Sequence, residues 1–157
     1  MNSKYLIADE PRPSALSQHV VNPQWPMLAQ MLAGSWLALP WFIFNSFAIG
    51  SPSRNKDIAL ALTSVLGSVL LLFALEYLVG NNTITGVWVS LSFLTVIILR
   101  LYIAYRLFFS QSTVFELWQY YGGVEKNGMI FLILGSVFGR PLLSAQISND
   151  FLRIILF

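Results

Sequence analysis

The sequence contains no cysteine, and only 10% of its 157 residues are charged. Without cysteine the chain can hold neither a disulfide framework nor a cysteine-based metal site. The sparse charge and a formal net charge of +2 exclude an ordinary soluble domain and a nucleic-acid binder with a basic face, because both need a larger share of charged residues. Hydrophobic residues make up 56% of the chain, and the mean hydropathy is +0.67. These values predict an integral membrane protein.

Four apolar stretches are long enough to cross a bilayer, since a transmembrane helix needs roughly 20 mostly apolar residues. They lie at about residues 27–49, 58–79, 84–109 and 128–147. Residues 1–26 are polar and contain several prolines, so we expect an arm at the membrane surface. The predicted fold class is therefore an all-α membrane protein, with one four-helix transmembrane domain over residues 27–157.

The segment between the third and fourth stretches predicts a short interfacial helix. Thr113 and Glu116 fit a capping box, and glycines at 122 and 123 supply a stop. Trp118 and Tyr121 are the expected anchors, because aromatic rings with a polar edge favour the headgroup layer. The alternative is a plain extension of the third helix into water.

The positions of lysine and arginine predict an orientation. Arg54, Lys56, Arg106 and Lys126 lie near the first and third connections. Under the positive-inside rule this side is cytoplasmic, which places both termini outside. We expect a multi-pass location in a membrane such as the bacterial inner membrane. If the fourth stretch does not cross, the C-terminus changes side.

Catalytic and metal-binding patterns are missing from the sequence. His19 is the single histidine, and no acid or second histidine stands at ligand spacing from it. Neither a P-loop nor a G-x-S-x-G or H-E-x-x-H motif occurs. We therefore expect no catalytic residue, no cofactor and no metal ion.

Charged residues at membrane depth are the strongest functional signal, because each costs at least a few kcal/mol unless it has a partner. At a rise of 1.5 Å per residue, Arg100 lies roughly 14 Å deep and Arg140 roughly 18 Å deep. Glu76, near the far end of the second stretch, is within side-chain reach of Arg140. These three residues are the predicted intramembrane charges or partner contacts. Arg140 is expected to pair with Glu76 or with a partner's acid; the alternative is snorkelling, or a water-filled break beside Pro141.

Small and polar residues predict how the helices pack. The glycines and serines that allow close helix approach are Gly135, Gly139, Ser64 and Ser68, and Ala29, Ala33 and Gly34 repeat this spacing in the first stretch. Pro40 removes a backbone donor and is expected to kink the first helix, and Asn45 needs a polar contact inside the bundle.

Three classes of function are compatible with these features. The favoured one is a small polytopic membrane protein that acts as a non-catalytic subunit, an anchor or an immunity-like inhibitor within a larger membrane assembly. The alternative is a homo-oligomeric channel or small transporter with an arginine-lined path. A membrane-embedded lipid-modifying enzyme ranks third. The expected partners are the lipid bilayer, another membrane protein chain or further copies of this chain, and anionic lipid; nucleic acid is not expected.

Overall fold

The chain forms a bundle of helices, and the computed structural model describes residues 15–147, 153–154 and 156–157 of it. No strand occurs among these residues, so the predicted all-helical class is confirmed. Most of the predicted arm, residues 1–14, lies outside the described residues. The elements are a 3₁₀ turn at Ser17–His19, α1 at Gln24–Leu32, α2 at Ser35–Ile49, α3 at Arg54–Gly80, α4 at Val87–Tyr120, α5 at Met129–Leu134, a π-helical turn at Gly135–Gly139, and α6 at Arg140–Gln146.

Within the described part of the chain, three helical segments are long and apolar enough to cross a membrane. They are α3, α4 and the continuous run Met129–Gln146, which joins α5 to α6 through the π turn. The predicted count of four spans is not confirmed, because the first apolar stretch does not form one long helix.

That first stretch is instead two helices that fold back on each other at Gly34. The backbone of Gly34 has φ 102° and ψ −177°, a conformation that residues with a Cβ avoid. Ala48 and Ile49, at the end of α2, pack against Val20, which lies just before α1. Both outer ends of α1 and α2 therefore lie on one side of the molecule, and we call the pair the re-entrant hairpin because the chain returns to the side from which it starts.

Pro40 lies inside α2 and does not end that helix, and the kink expected there stays a prediction. α2 runs through it from Ser35 to Ile49. The interruption lies six residues earlier, because only a glycine accepts the backbone angles of the break and because the C-terminal segment packs closely against Gly34.

We call the side that holds residues 15–23, 50–53 and 121–127 the loop side. The backbone N–H of Lys126 donates to the carbonyl of Val20 at 2.7 Å, which joins the segment after α4 to the segment before α1. The sequence placed the N-terminal arm across the membrane from these connections. The structure places the described part of the arm beside them, because the α1–α2 pair returns to the side from which it entered.

The predicted separate interfacial helix does not exist, because α4 continues to Tyr120. Its 34 residues span roughly 51 Å, well beyond a hydrocarbon core of about 30 Å. Thr113 and Glu116 therefore lie inside a helix and form no capping box. The extension is held in place by tertiary packing: Phe115 and Trp118 contact Val20 and the end of α2. Trp118 is accordingly 8% exposed, because Val20 and the end of α2 cover its ring.

The glycines of the fourth predicted stretch bring it against the re-entrant hairpin. Gly135 lies against Leu37, and a Cβ on Gly139 would stand 2.6 Å from the ring of Trp36. α3 packs mainly against α4, and Ser64 and Ser68 are buried on α3 between the core residues Ala61 and Leu72.

Candidate functional site

A fully buried carboxylate, Asp57, lies in the first turn of α3, where the positive end of the helix dipole favours an acid. The Ser46 hydroxyl donates to Oδ2 at 2.7 Å, and the Ser110 hydroxyl donates to Oδ1 at 2.9 Å. Gln111 Nε2 also lies 3.3 Å from Oδ2. Asp57 thus joins α2, α3 and α4 through one polar cluster.

This cluster continues to the N-terminal segment through two buried amides. Gln111 Nε2 donates to the Phe42 carbonyl at 2.7 Å, and Asn45 Nδ2 donates to Gln111 Oε1 at 3.4 Å. Asn45 Oδ1 in turn accepts from the backbone N–H of Val21 at 3.1 Å. Asn45 therefore holds the end of α2 to the chain before α1, and the network closes the loop side of the bundle.

Arg100 lies deeper, on α4, and is 5% exposed. Its Nε and Nη2 donate to the Ser35 hydroxyl at 2.9 and 2.6 Å, and its Nη1 donates to the Ile154 carbonyl at 2.7 Å. Ser35 also exchanges hydrogen bonds with Gln30 across the hairpin turn. The guanidinium thus ties α4 to the re-entrant turn and to the C-terminal segment.

Arg140 is bound at the same turn. Its Nη1 donates to the Leu32 carbonyl at 2.9 Å, and its guanidinium carbon lies 5.9 Å from the centre of the Phe157 ring. Leu32 is the last residue of α1, where carbonyls lack helical partners and the dipole favours a cation. The next carbonyl, of Ala33, accepts from Trp36 Nε1 at 2.8 Å. The broken helix end is therefore capped by side chains.

Arg140 and Glu76, which the sequence placed within reach of each other, have different surroundings. The polar partner of Arg140 among the described residues is the Leu32 carbonyl. Glu76 is exposed and lines a groove with Leu72 and Ile154. Arg100 and Arg140 both hydrogen-bond to residues at the re-entrant turn, whereas Glu76 lies on a groove that it shares with Ile154, the residue whose carbonyl Arg100 contacts.

The outward face of α4 carries a second cluster, near the loop side. Tyr102, Tyr105, Arg106 and Phe109 follow the i, i+3, i+4, i+7 spacing of one helical stripe, and all four are exposed. The rings of Tyr105 and Phe109 meet edge to face at 4.5 Å. Tyr121 is exposed beyond the end of α4 and contacts the ring of Tyr120.

Several of these residues were missed in the sequence. Asp57 stands at the start of an apolar run, where an acid is typical of a helix cap. A carboxylate between two apolar segments could still have indicated a buried polar contact. The pair Gly34 and Ser35 inside an apolar stretch was a turn signal. Gln111 gave none, because its partners are more than 50 residues away.

Over the residues that the structure describes, no group of three or more histidine, aspartate or glutamate side chains is placed to hold a metal ion. No protein-family model matches the chain, and the comparisons with curated proteins and with solved structures give no significant match.

Proposed function

We propose that this protein is a non-catalytic membrane subunit, an anchor or inhibitor that binds another transmembrane chain along the outward face of α4. The observation that carries the proposal is the stripe of Tyr102, Tyr105, Arg106 and Phe109. Tyrosine and arginine are enriched at the energetic centres of protein interfaces, and aromatic rings bury a large area at a small cost in side-chain entropy.

The depth of the stripe supports a protein partner. Ser110 marks the level at which α3 begins, since its hydroxyl contacts Ser53 and Asp57. Tyr102 is eight residues further in, roughly 12 Å along the helix. A phenol hydroxyl at that depth lacks hydrogen-bond partners in lipid, whereas a partner helix can supply a carbonyl or a carboxylate.

The large surface of the spanning helices that does not pack inside the chain agrees with a subunit role. In an 18-residue apolar part of α3 only 28% is buried inside the chain, and in the corresponding part of α4 only 22% is buried. The charged groups at depth meanwhile bond to oxygens of the chain itself, which favours a structural use of Arg100 and Arg140 over an arginine-lined path.

We also propose an orientation and a location. Arg54, Lys56 and Lys126 lie at the loop side, so the positive-inside rule makes this side cytoplasmic. The described part of the arm is then cytoplasmic too, and the chain crosses three times with one re-entrant pair in a membrane such as the bacterial inner membrane.

The experiment is photo-crosslinking in native membranes. A photoreactive amino acid at Tyr102 should form one discrete protein adduct, whereas the same group at Leu62, exposed on α3 at a similar depth, should form none. Tyr105→Ala should lower the adduct yield about tenfold, because an aromatic anchor of this kind contributes about 1–2 kcal/mol or more to binding. Equal adducts at both positions, or none, would contradict the proposal.

The same experiment tests the alternative, a homo-oligomeric channel or small transporter. One observation favours it: Arg100 lines a cavity of about 380 Å³ with Gln30, Met31 and Phe157. An adduct at Tyr102 with twice the mass of the chain would favour the homo-oligomer, and a different mass would favour the subunit of a mixed assembly.

A further inference from the structure

An open groove of about 630 Å³ lies between α2 and the start of α5. Its apolar wall includes Trp36, Pro40, Trp41 and Phe131. A volume of this size is typical of sites that bind small molecules. The groove shares no lining residue with the stripe on α4, so it is a second surface, separate from the one proposed to bind a partner chain.

The groove changes from polar to apolar along its length. α2 ends at the loop side, so Phe44 lies near the mouth and Trp36 lies about 12 Å further in. His19 and Asn127 line the mouth, whereas the deep end is formed by tryptophan and proline. Asn127 Oδ1 accepts from the Met129 N–H at 2.8 Å, which leaves its amide N–H groups for another acceptor. This order of polarity matches an amphiphile whose headgroup lies at the mouth and whose acyl chain lies in the deep end.

Basic side chains lie near the mouth, on the segments that follow α2 and precede α5. The guanidinium of Arg54 lies 5.8 Å from the ring centre of Phe47, one helical turn beyond Phe44. Lys126 precedes Asn127 and is exposed. Glu125 stands beside Lys126, and Asp57 lies three residues after Arg54. With Lys56 included, the charged residues of segments 50–57 and 121–127 sum to a net charge of +1.

We propose that this groove binds one acyl chain of an anionic phospholipid, with its phosphate at Arg54, Lys126 and Asn127. Water is not expected to occupy a groove lined by Trp36, Trp41 and Phe131, because these side chains offer a water molecule too few hydrogen-bond partners. An acyl chain supplies dispersion contacts along the whole wall, and the basic mouth selects the headgroup.

Two of the five tryptophans line the groove, which gives a direct readout. Variants that keep only Trp41, or only Trp88, are reconstituted in phosphatidylcholine containing increasing amounts of chain-brominated phosphatidylglycerol or chain-brominated phosphatidylcholine. Trp41 is 7% exposed yet lines the groove, whereas Trp88 is 67% exposed at the far end of α4 and reports bulk lipid. Quenching of Trp41 should be half-maximal at a membrane fraction of brominated phosphatidylglycerol about fivefold lower than that of brominated phosphatidylcholine. Quenching of Trp88 should depend equally on the two lipids.

Two variants separate the chain from the headgroup. Pro40→Phe fills the groove and should remove Trp41 quenching while leaving Trp88 quenching unchanged. Arg54→Gln with Lys126→Gln should abolish the preference for phosphatidylglycerol without removing quenching by either lipid. Equal quenching of Trp41 by both lipids in the variant that keeps only Trp41, or quenching that survives the addition of Pro40→Phe to it, would overturn the proposal.

The single-tryptophan variants need a control for folding. The parent chain with all five tryptophans, delipidated in detergent, is titrated with phosphatidylglycerol or phosphatidylcholine and weighed by native mass spectrometry. One phosphatidylglycerol should remain bound at an about fivefold lower concentration than phosphatidylcholine, and Pro40→Phe should lose it. Binding that is equal for both lipids, or unaffected by Pro40→Phe, would also refute the lipid site.

Discussion

At the scale of single residues, the cost of placing a cation at membrane depth is met by oxygens of the chain. Arg100 uses the Ser35 hydroxyl and the Ile154 carbonyl, and Arg140 uses the Leu32 carbonyl. A broken helix exposes carbonyls that cannot be solvated in lipid, so the break and the arginines satisfy each other. The oxygens that these two arginines contact among the described residues are one hydroxyl and two backbone carbonyls; the pairing of Arg140 with an acid stays a prediction.

Replacement of Arg140 tests this account. Arg140→Leu should increase amide hydrogen exchange around Ala33 and Gly34 about fivefold, because a cation at a helix C-terminus contributes up to about 1 kcal/mol. Glu76→Gln is the control and should leave this exchange unchanged. In the double variant the two effects should add. A coupling well above the error of measurement would instead support the predicted ion pair between Arg140 and Glu76.

At the scale of elements, the re-entrant hairpin α1–α2 organises the site. The turn at Gly34 brings Gln30 and Ser35 together, and both face Arg100. The C-terminal segment closes over the same turn, since Gly34 lies against Leu156 and Phe157. The hairpin is thus held by contacts from α4, the fourth predicted stretch and the chain end.

Gly34→Ala should destabilise the fold by about 1–3 kcal/mol, because alanine cannot adopt these backbone angles without strain. Its methyl group would also meet the Leu156 carbonyl. Gly80→Ala is a matched control, since a Cβ there meets nothing within 4 Å and alanine favours the helix. The free energy of unfolding of the two variants is compared by titrating each, in mixed micelles, with a denaturing detergent. Equal stability of the two would show that the turn is not under this constraint.

At the scale of the whole molecule, three separate chain segments lie together at the loop side. Residues 15–23 and 121–127 are joined by the Val20 and Lys126 backbone hydrogen bond, and the α2–α3 connection lies beside Ser110. The turn at 81–86 lies at the opposite end of the α3–α4 hairpin, because each helix is long enough to cross.

The absence of cysteine makes this arrangement easy to map. Single cysteines replace the exposed residues Gln18, Pro52, Val124 and Asn82, and a membrane-impermeant maleimide is added from either side. The first three should react from one side, and Asn82→Cys should react from the other. Reaction of Gln18→Cys together with Asn82→Cys would restore the first stretch as a crossing helix.

The sequence by itself determined the class of this protein, because apolar runs of this length with so few charges are stable only in a bilayer. It also predicted Arg100 and Arg140 as charges at membrane depth, since their positions along the apolar stretches can be read from the sequence, but it did not predict the oxygens that they contact. It did not determine that the first apolar stretch folds back at Gly34. That choice rests on one backbone angle and on partners from α4, α6 and the C-terminal segment, which lie more than 60 residues away. The continuation of α4 was decided in the same way, because Phe115 and Trp118 find their packing partners at Val20 and Ile49, and the hydrogen bonds of Asp57 exist only once α2, α3 and α4 meet.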